Sequence, residues 1–376
     1  LASSQEILLA GRALQGIGAA LIAPSALTIV MRLFGHNGAE LGKAFGFWGA
    51  AAAAGGSAGV FLGGVITEWM AWQWTFLINV PLGLIVLTAI PAVLRKSERA
   101  LGKVDWFGAI TVTGALVSLV YAIVTIETAG LGSPLILSLL GISLALFVIF
   151  LIAQRVRREP LLPLGIFKAP NLAAGNLVMA LLGAAWIPLW FFLNLYLQQV
   201  LGLSALASGL ALLPMTILIM IVMVGFSGKL IGRFGPKTNL ILGLLLMGAS
   251  LVLFANLPLD GSFVINVLPA SLLAALGMAL AYIPATMSGM AGAKPEETGL
   301  ASGLINTSYQ IGSAIGLAVM VVISTAGYRH GSAGPAEMLQ GFQASFQGAG
   351  VVAAVAALAT LLLIRGGAAQ REVPVG

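Results

Sequence analysis

The chain has 376 residues, of which 59% are hydrophobic and only 8% are charged, with a formal net charge of +6 and a mean hydropathy of +1.05. Soluble domains carry about 25% charged residues, so this composition excludes a water-soluble fold. Cysteine is absent from the sequence, which excludes disulfides and cysteine nucleophiles.

Apolar stretches of about 20 residues, long enough to cross a bilayer as a helix, recur along the whole chain. They predict an all-α polytopic membrane protein with eleven spans, at residues 7–30, 45–66, 75–94, 106–126, 134–153, 172–199, 207–226, 238–257, 263–290, 299–323 and 345–364. Residues 324–344, rich in glycine and alanine, are predicted to form an outer loop.

Basic residues predict the orientation of these spans, because cytoplasmic loops are enriched in lysine and arginine. One set of alternate loops, with the C-terminal tail, holds 16 of the 18 basic residues: Arg32, Lys43, Arg95, Lys96, Arg99, Lys103, Arg155, Arg157, Arg158, Lys168, Lys229, Arg233, Lys237, Lys294, Arg365 and Arg371. The first residue is therefore expected outside and the C-terminus in the cytoplasm. Since the positive charge is spread over short segments and forms no single basic face, we expect no nucleic-acid partner.

The first span contains an arginine, which is costly in a membrane and therefore a functional hypothesis. Arg12 and Gln15 are three residues apart and share a helix face, and Gly16 follows in the pattern L-x-x-x-R-x-x-Q-G-x-G-A-A. These three residues are our candidates for transport or coupling. The alternative is that Arg12 extends to the nearby membrane surface and acts only as a structural clamp.

The second span carries a spaced set of glycines, which we call the glycine ladder. Glycines at intervals of four allow two membrane helices to approach closely. The ladder therefore predicts a tight helix contact along this span. Its members are Gly46, Gly55, Gly59, Gly63 and Gly64.

With these motifs the chain resembles the major facilitator superfamily, in particular its fourteen-helix drug:proton antiporter branch. The Arg12 pattern resembles the family motif in the fourth helix, and the glycine ladder resembles the antiporter motif in the fifth. Val60 stands where the family usually has proline, and Gln73, in the W-Q-W segment that opens the next span, stands where it usually has arginine. Later motifs extend the resemblance: Gly228, Gly232, Gly235, Lys237, Gly299, Ser302, Gly303, Asn306, Gln310 and Gly312.

The resemblance implies a fold of two six-helix bundles with an inserted helix pair between them. If the Arg12 helix is the fourth, the first three helices are missing, together with the proton-titrating aspartate that the family usually carries in its first helix. The expected domains are the rest of the N-terminal bundle (1–94), the inserted pair (95–167), the C-terminal six-helix bundle (168–364) and a cytoplasmic tail (365–376).

The resemblance further implies proton-coupled efflux of lipophilic drugs or toxic compounds across the cytoplasmic membrane by alternating access. The partners expected are the substrate, protons and the lipid bilayer, with a periplasmic adaptor protein if the source is Gram-negative. No cofactor is expected, because the proton gradient supplies the energy.

Polar and aromatic residues within the C-terminal spans are candidates for lining a substrate site, although helix packing is an equally simple role for each. Aromatic and amide groups together suit a bulky, partly apolar ligand. Every carboxylate is placed in a loop, a tail or at a helix end, so no buried proton carrier is predicted. The lining candidates are Asn176, Trp186, Trp190, Phe191, Asn194, Tyr196, Gln199, Asn306 and Gln310.

The sequence leaves two alternative functions open and argues against a third. The same fold could export an endogenous metabolite or siderophore, and a receptor or scaffold role conflicts only with the two-bundle layout. An intramembrane enzyme would need convergent catalytic groups at membrane depth. The sequence shows neither paired carboxylates within a span nor a metal-binding motif, and His36 and His330 fall in loops. We therefore expect neither an enzyme nor a metal site.

Overall fold

The computed structural model describes residues 4–34, 38–93, 105–130, 132–157, 159–294, 297–326 and 334–365. The predicted boundary between residues 94 and 95 and the tail beyond Arg365 lie outside these ranges. So do several residues used above: His36, Arg95, Lys96, Arg99, Lys103, Arg158, His330 and Arg371.

The described part of the chain consists of helices joined by short connecting segments, and it contains no β-strand. The first group comprises α1 (Gln5–Phe34), α2 (Gly38–Trp69), α3 (Trp74–Leu77), α4 (Asn79–Val93), α5 (Trp106–Ala129) and α6 (Pro134–Val156). The second comprises α7 (Leu172–Leu195), α8 (Ala205–Gly225), α9 (Ser227–Phe234), α10 (Pro236–Phe254), α11 (Leu268–Met290), α12 (Thr298–Thr325) and α13 (Pro335–Leu363). A 3₁₀ turn at Leu164–Lys168 precedes α7, and π turns at Tyr196–Val200 and Phe263–Val267 extend α7 and α11.

Eleven helical segments within the described ranges are long and apolar enough to span a membrane, which confirms the predicted all-α polytopic class. In lipid a helix satisfies its own backbone hydrogen bonds, which is why uninterrupted apolar runs become helices here. The predicted third span is divided at Ile78. Pro81 explains the division, because it has no N–H to donate to the carbonyl of Leu77.

One expectation about a helix end was wrong. The last span begins at Pro335, ten residues before the predicted start, so half of the expected outer loop is helix. Leu339, Phe342 and Phe346 are buried along this helix. Pro188 and Pro214, which could have broken their helices, lie inside the continuous helices α7 and α8.

The C-terminal helices α7, α8 and α10–α13 pack into one bundle around a shared apolar core. Glycines set the closest approaches. A Cβ atom on Gly312 or Gly316 of α12 would overlap the α7 backbone at Ala180 or Ala184, and one on Gly243 of α10 would lie 2.7 Å from the backbone nitrogen of Ala281 in α11. Close backbone contact of this kind holds membrane helices together by van der Waals packing.

We expect Gly312→Ala to lower the thermal stability of the purified protein, because the added methyl group would collide with the carbonyl of Ala180. Overpacking of this kind typically costs about 1–3 kcal/mol. Gly303→Ala is the matched control on the same helix, since a Cβ there meets no atom within 4 Å. Melting curves followed by circular dichroism test this, and equal melting temperatures for the two variants would contradict the packing described.

The remaining helices attach to this bundle at separate places. Helix α2 packs along α8, α1 contacts α12, and the α5–α6 hairpin contacts α12 through α5. The surface of α4 is exposed along its whole length. The division into domains at the boundaries given above stays a prediction.

Candidate functional site

A cavity of about 360 Å³ lies between α2 and the C-terminal bundle. Helices α2, α7, α8, α11 and α12 all contribute to its wall. Gly56 and Trp186 are the middle residues of their spans, Lys43–Trp69 and Leu172–Val200, so the cavity lies near the membrane midplane. Its volume falls within the range of about 300–1,000 Å³ that is usual for small-molecule sites.

Helix α2 packs along α8, and two of its glycines make very close contacts near the two ends of this pair. A Cβ on Gly46 would lie 2.6 Å from the carbonyl oxygen of Met223, and one on Gly64 would lie 2.7 Å from that of Ala205. Between these contacts Gly56 faces the cavity, and a Cβ there would meet no atom within 4 Å. Gly56 therefore leaves open space on the α2 side of the cavity.

A tight helix contact was expected along the whole glycine ladder, but the structure shows it only at part of the ladder. Only its end members, Gly46 and Gly64, make the close helix contact. At Gly55, Gly59 and Gly63 an added Cβ would meet nothing within 4 Å in the described part of the chain. The side chain of Val60 lies outside the described residues.

Aromatic rings from α7, α11 and α12 form part of the cavity wall. Trp186 and Trp190 of α7, which we call the tryptophan pair, have ring centroids 6.1 Å apart at an interplanar angle of 65°. Tyr282 of α11 and Tyr309 of α12, the tyrosine pair, have centroids 5.9 Å apart at 87°. Edge-to-face pairs of this kind hold rings in fixed orientations, so the wall is apolar and well defined.

Trp186 and Trp190 are the two predicted lining residues that the structure places on this cavity. Asn176 instead ties three helices together. Its amide donates to the carbonyl oxygens of Leu172 (2.8 Å) and Gly289 (2.9 Å), and its side-chain oxygen accepts from Ser308 (2.9 Å). A buried amide with all these partners has a structural role.

The other lining candidates lie away from the cavity. Tyr196 is buried and donates its hydroxyl to the carbonyl of Pro258 at 2.8 Å, and Asn194 accepts from Gln198 at 2.9 Å. Asn306 donates to the carbonyl of Ser302, one turn earlier on its own helix. The remaining three candidates are exposed: Phe191, Gln199 and Gln310.

The tyrosine pair and two methionines, Met223 and Met278, also line the cavity, and none of them was predicted from the sequence. One signal was available. Tyr282 is a single aromatic residue in a helix otherwise rich in alanine, where a ring is conspicuous. That Tyr282 and Tyr309 meet depends on how α11 and α12 are rotated against each other, which residue spacing within one helix does not determine.

Arg12 lies at a second, smaller cavity of about 290 Å³ between α1 and the start of α3. The guanidinium of Arg12 donates a hydrogen bond to the side-chain oxygen of Gln15 at 2.9 Å, so the two residues share a helix face. The guanidinium also lies 5.4 Å from the ring centroid of Phe76. Gln73 lines the same cavity, and its side-chain oxygen is buried without a hydrogen-bond partner. At Gly16 an added Cβ would meet no described atom within 4 Å.

The carboxylate of Asp105 is buried at the start of α5, a helix end as predicted. The Asp105 side chain is only 1% exposed. It caps α5 by accepting from the Gly108 N–H at 2.9 Å, and it also accepts from Gln154 (3.0 Å), Arg157 (2.6 Å) and the Leu161 N–H (3.3 Å). The Gly108 N–H is the main reason that the pKa of Asp105 lies below its ordinary value. Asp105 thus fastens the linker after α6 to the start of α5.

A polar contact joins α1 to the C-terminal bundle. The hydroxyl oxygens of Thr28 in α1 and Ser302 in α12 lie 2.7 Å apart, and the Ser302 hydroxyl is also 3.2 Å from the carbonyl of Pro24. Leu27 beside them is buried. This contact joins α1 to the bundle, whereas α2 meets the bundle mainly along α8 and also at α11.

Comparison with known proteins gives consistent matches over most of the chain. The sequence model of the family described as Major Facilitator Superfamily matches residues 1–317. The chain is 34% identical over 318 residues to a puromycin resistance protein of Streptomyces alboniger, covering 84% of the chain and 63% of that relative. It is 33% identical to a cephamycin export protein of Amycolatopsis lactamdurans, covering 100% of the chain and 77% of the relative.

A third relative is a tetracenomycin C resistance and export protein of Streptomyces glaucescens, 35% identical over 86% of the chain and 60% of the relative. The chain therefore spans between 60% and 77% of the length of these three relatives.

Proposed function

The chain belongs to the Major Facilitator Superfamily, and from that membership we propose that it exports lipophilic drugs or other toxic compounds across the cytoplasmic membrane by alternating access. Members of this family are transporters, so the chain is not an enzyme. The relatives are named for antibiotic resistance and export, which supports efflux as the direction of transport.

The midplane cavity is the observation that carries this proposal. Transporters of this fold bind substrate near the bilayer midplane, at the interface between two repeats that rock against each other. Here the cavity lies where α2 meets the C-terminal bundle, and its wall consists mainly of aromatic, methionine and aliphatic side chains, with Thr216 and two glycines. A site of this composition suits a lipophilic compound.

Proton coupling and membership of the fourteen-helix branch are parts of the same proposal. Arg12 is the coupling candidate, because a cation within the first span could respond to protonation of a nearby acid. The proton gradient would then be the energy source. In the orientation proposed, the first residue lies outside and the C-terminus in the cytoplasm; in a Gram-negative cell a periplasmic adaptor protein would be a partner.

We expect puromycin, lincomycin or tetracenomycin C to collapse a pre-formed proton gradient in everted vesicles that contain the protein, as followed with a pH-sensitive dye. Arg12→Ala should reduce this response at least about tenfold, because it removes the charge beside Gln15 and Phe76. Arg12→Lys, which keeps the charge, should retain part of the response.

The outcomes separate the competing functions. An equal response in wild type and Arg12→Ala, at equal amounts of folded protein, would reduce Arg12 to a structural clamp. If none of the three compounds collapses the gradient although the protein is correctly inserted, drug export by proton exchange is ruled out. Export of an endogenous metabolite or siderophore would then be the favoured function.

A further inference from the structure

The linker between α6 and α7, residues 159–171, is tied at its start to the α5–α6 hairpin. Gln154 of α6 is buried and uses both ends of its side-chain amide. The nitrogen donates to Asp105 Oδ2 at 3.0 Å, and the oxygen accepts from the Leu162 N–H at 2.7 Å. Asp105 accepts from the Leu161 N–H. Two successive backbone amides of the linker are therefore held by two buried side chains of the hairpin.

The far half of the same linker belongs to the C-terminal bundle. Ile166, in the 3₁₀ turn, is 3% exposed and is part of the apolar core that the bundle helices share, and the side chain of Leu162 packs against that core. Leu162 is consequently held from both sides, because its N–H is bound by the hairpin and its side chain by the bundle.

Asn171 fastens the end of the linker to the end of α13. It has the left-handed backbone conformation, with φ at 65°, and its side-chain amide makes two hydrogen bonds with the backbone of Arg365. Nδ2 donates to the Arg365 carbonyl at 3.1 Å, and Oδ1 accepts from the Arg365 N–H at 2.8 Å. The point where the chain enters α7 is therefore fixed to a second helix of the bundle.

Two further features restrict movement between the hairpin and the bundle. The linker contains Pro160, Pro163 and Pro170, and proline fixes the backbone angle φ at each position. The hairpin also touches the bundle directly, because α5 packs against α12. A hinge needs positions at which the backbone can rotate freely, and the hydrogen bonds, the buried side chains and the prolines together remove them from this linker.

We propose that the linker is a rigid coupling, so that the α5–α6 hairpin moves together with the C-terminal bundle. The boundary between the two moving parts of the protein then lies before α5, and the inserted pair is not an independent unit. This inference rests on the proposed function only for its consequence in transport. During alternating access α1 and α2 change their contacts with the bundle, while α5 keeps its contact with α12.

Distances between spin labels test the coupling. The chain contains no cysteine, so cysteines introduced at exposed positions can carry the labels. One pair, Leu144 of α6 and Leu358 of α13, joins the hairpin to the bundle, and a reference pair, Ile221 of α8 and Leu358, lies within the bundle. Double electron–electron resonance on the purified full chain in lipid nanodiscs gives the distance distribution of each pair. We expect the two distributions to be equally narrow.

Gln154→Met keeps the size of the side chain and removes its hydrogen bonds to Asp105 and Leu162. It should broaden the hairpin–bundle distribution about twofold and leave the reference pair unchanged, because the linker amide loses its buried partner. Asp105→Asn should act in the same direction. Ser143→Ala is the matched control, since it removes a buried hydrogen bond from α6 to the Ala115 carbonyl of α5 without touching the linker. It should leave both distributions unchanged.

Three results would overturn the proposal. The first is a wild-type hairpin–bundle distribution much broader than that of the reference pair. The second is an unchanged distribution in both Gln154→Met and Asp105→Asn, and the third is a broadening in Ser143→Ala equal to that in Gln154→Met. The distances are measured without substrate. Absence of antibiotic export would therefore rule out the proposed function and leave the coupling intact, whereas a mobile hairpin would leave export untouched.

Discussion

Replacing Gly56 with leucine is expected to weaken the binding of cavity ligands about 10- to 100-fold, while Gly55→Leu leaves it unchanged. Gly56 lines the midplane cavity and a Cβ there meets only open space, so a leucine side chain would extend into the volume that a ligand needs. The expected loss corresponds to the cost of about 1–3 kcal/mol that overpacking usually carries.

Gly55 is a well-matched control because it neighbours Gly56 on the same helix, is also surrounded by open space, and does not line the cavity. Export of tetracenomycin C by everted vesicles, measured over a range of concentrations, reports the loss of affinity. Equal affinities for the two leucine variants would mean that ligands bind elsewhere, and the midplane cavity would lose its role.

Asp105→Asn is expected to lower the melting temperature by several degrees and to loosen the α5–α6 hairpin. The carboxylate accepts from four donors, and an amide in its place would turn its own N–H₂ group toward donors such as Arg157 and Gln154. Glu159→Gln is the control, since Glu159 is an exposed carboxylate in the same linker. Hydrogen exchange of the linker amides, Leu161 in particular, reports the local effect.

The pH dependence of this difference has a definite sign. The pKa of Asp105 is lowered in the folded protein, so its stabilisation is fully present above the ordinary value of 3.8 and is lost as the pH falls through the folded value. Wild type and Asp105→Asn should therefore differ in melting temperature at neutral pH and converge in strong acid. A constant difference across this range would show that the ionised carboxylate is not the stabilising form.

The spans were predictable because crossing a bilayer is a local property of about 20 residues. All eleven were found in this way, and the errors arose where polar and apolar residues mix. The first ten residues of α13 contain Glu337, Gln340 and Gln343, which made the segment look like a loop. Buried Leu339, Phe342 and Phe346, at intervals of three and four, are the helical signal there.

The site was only half predictable, for a physical reason. Trp186 and Trp190 lie on one helix, and their spacing of four residues places them together without further knowledge. Tyr282 and Tyr309 meet across two helices, so their contact depends on helix rotation and on the glycines that set helix distance. Asp105 lies at a helix end as predicted, but its burial was not predictable, because the linker after α6 folds back and covers it.

The most direct test of alternating access uses the contact between α1 and α12. Thr28 and Ser302 are replaced by cysteine in this cysteine-free chain, because their side-chain oxygens lie 2.7 Å apart, and the extent of disulfide formation after oxidation is measured. If α1 moves away from the bundle in each cycle, oxidation should arrest antibiotic export and a reductant should restore it, while either single variant stays active. Undiminished export by fully cross-linked protein would contradict the account.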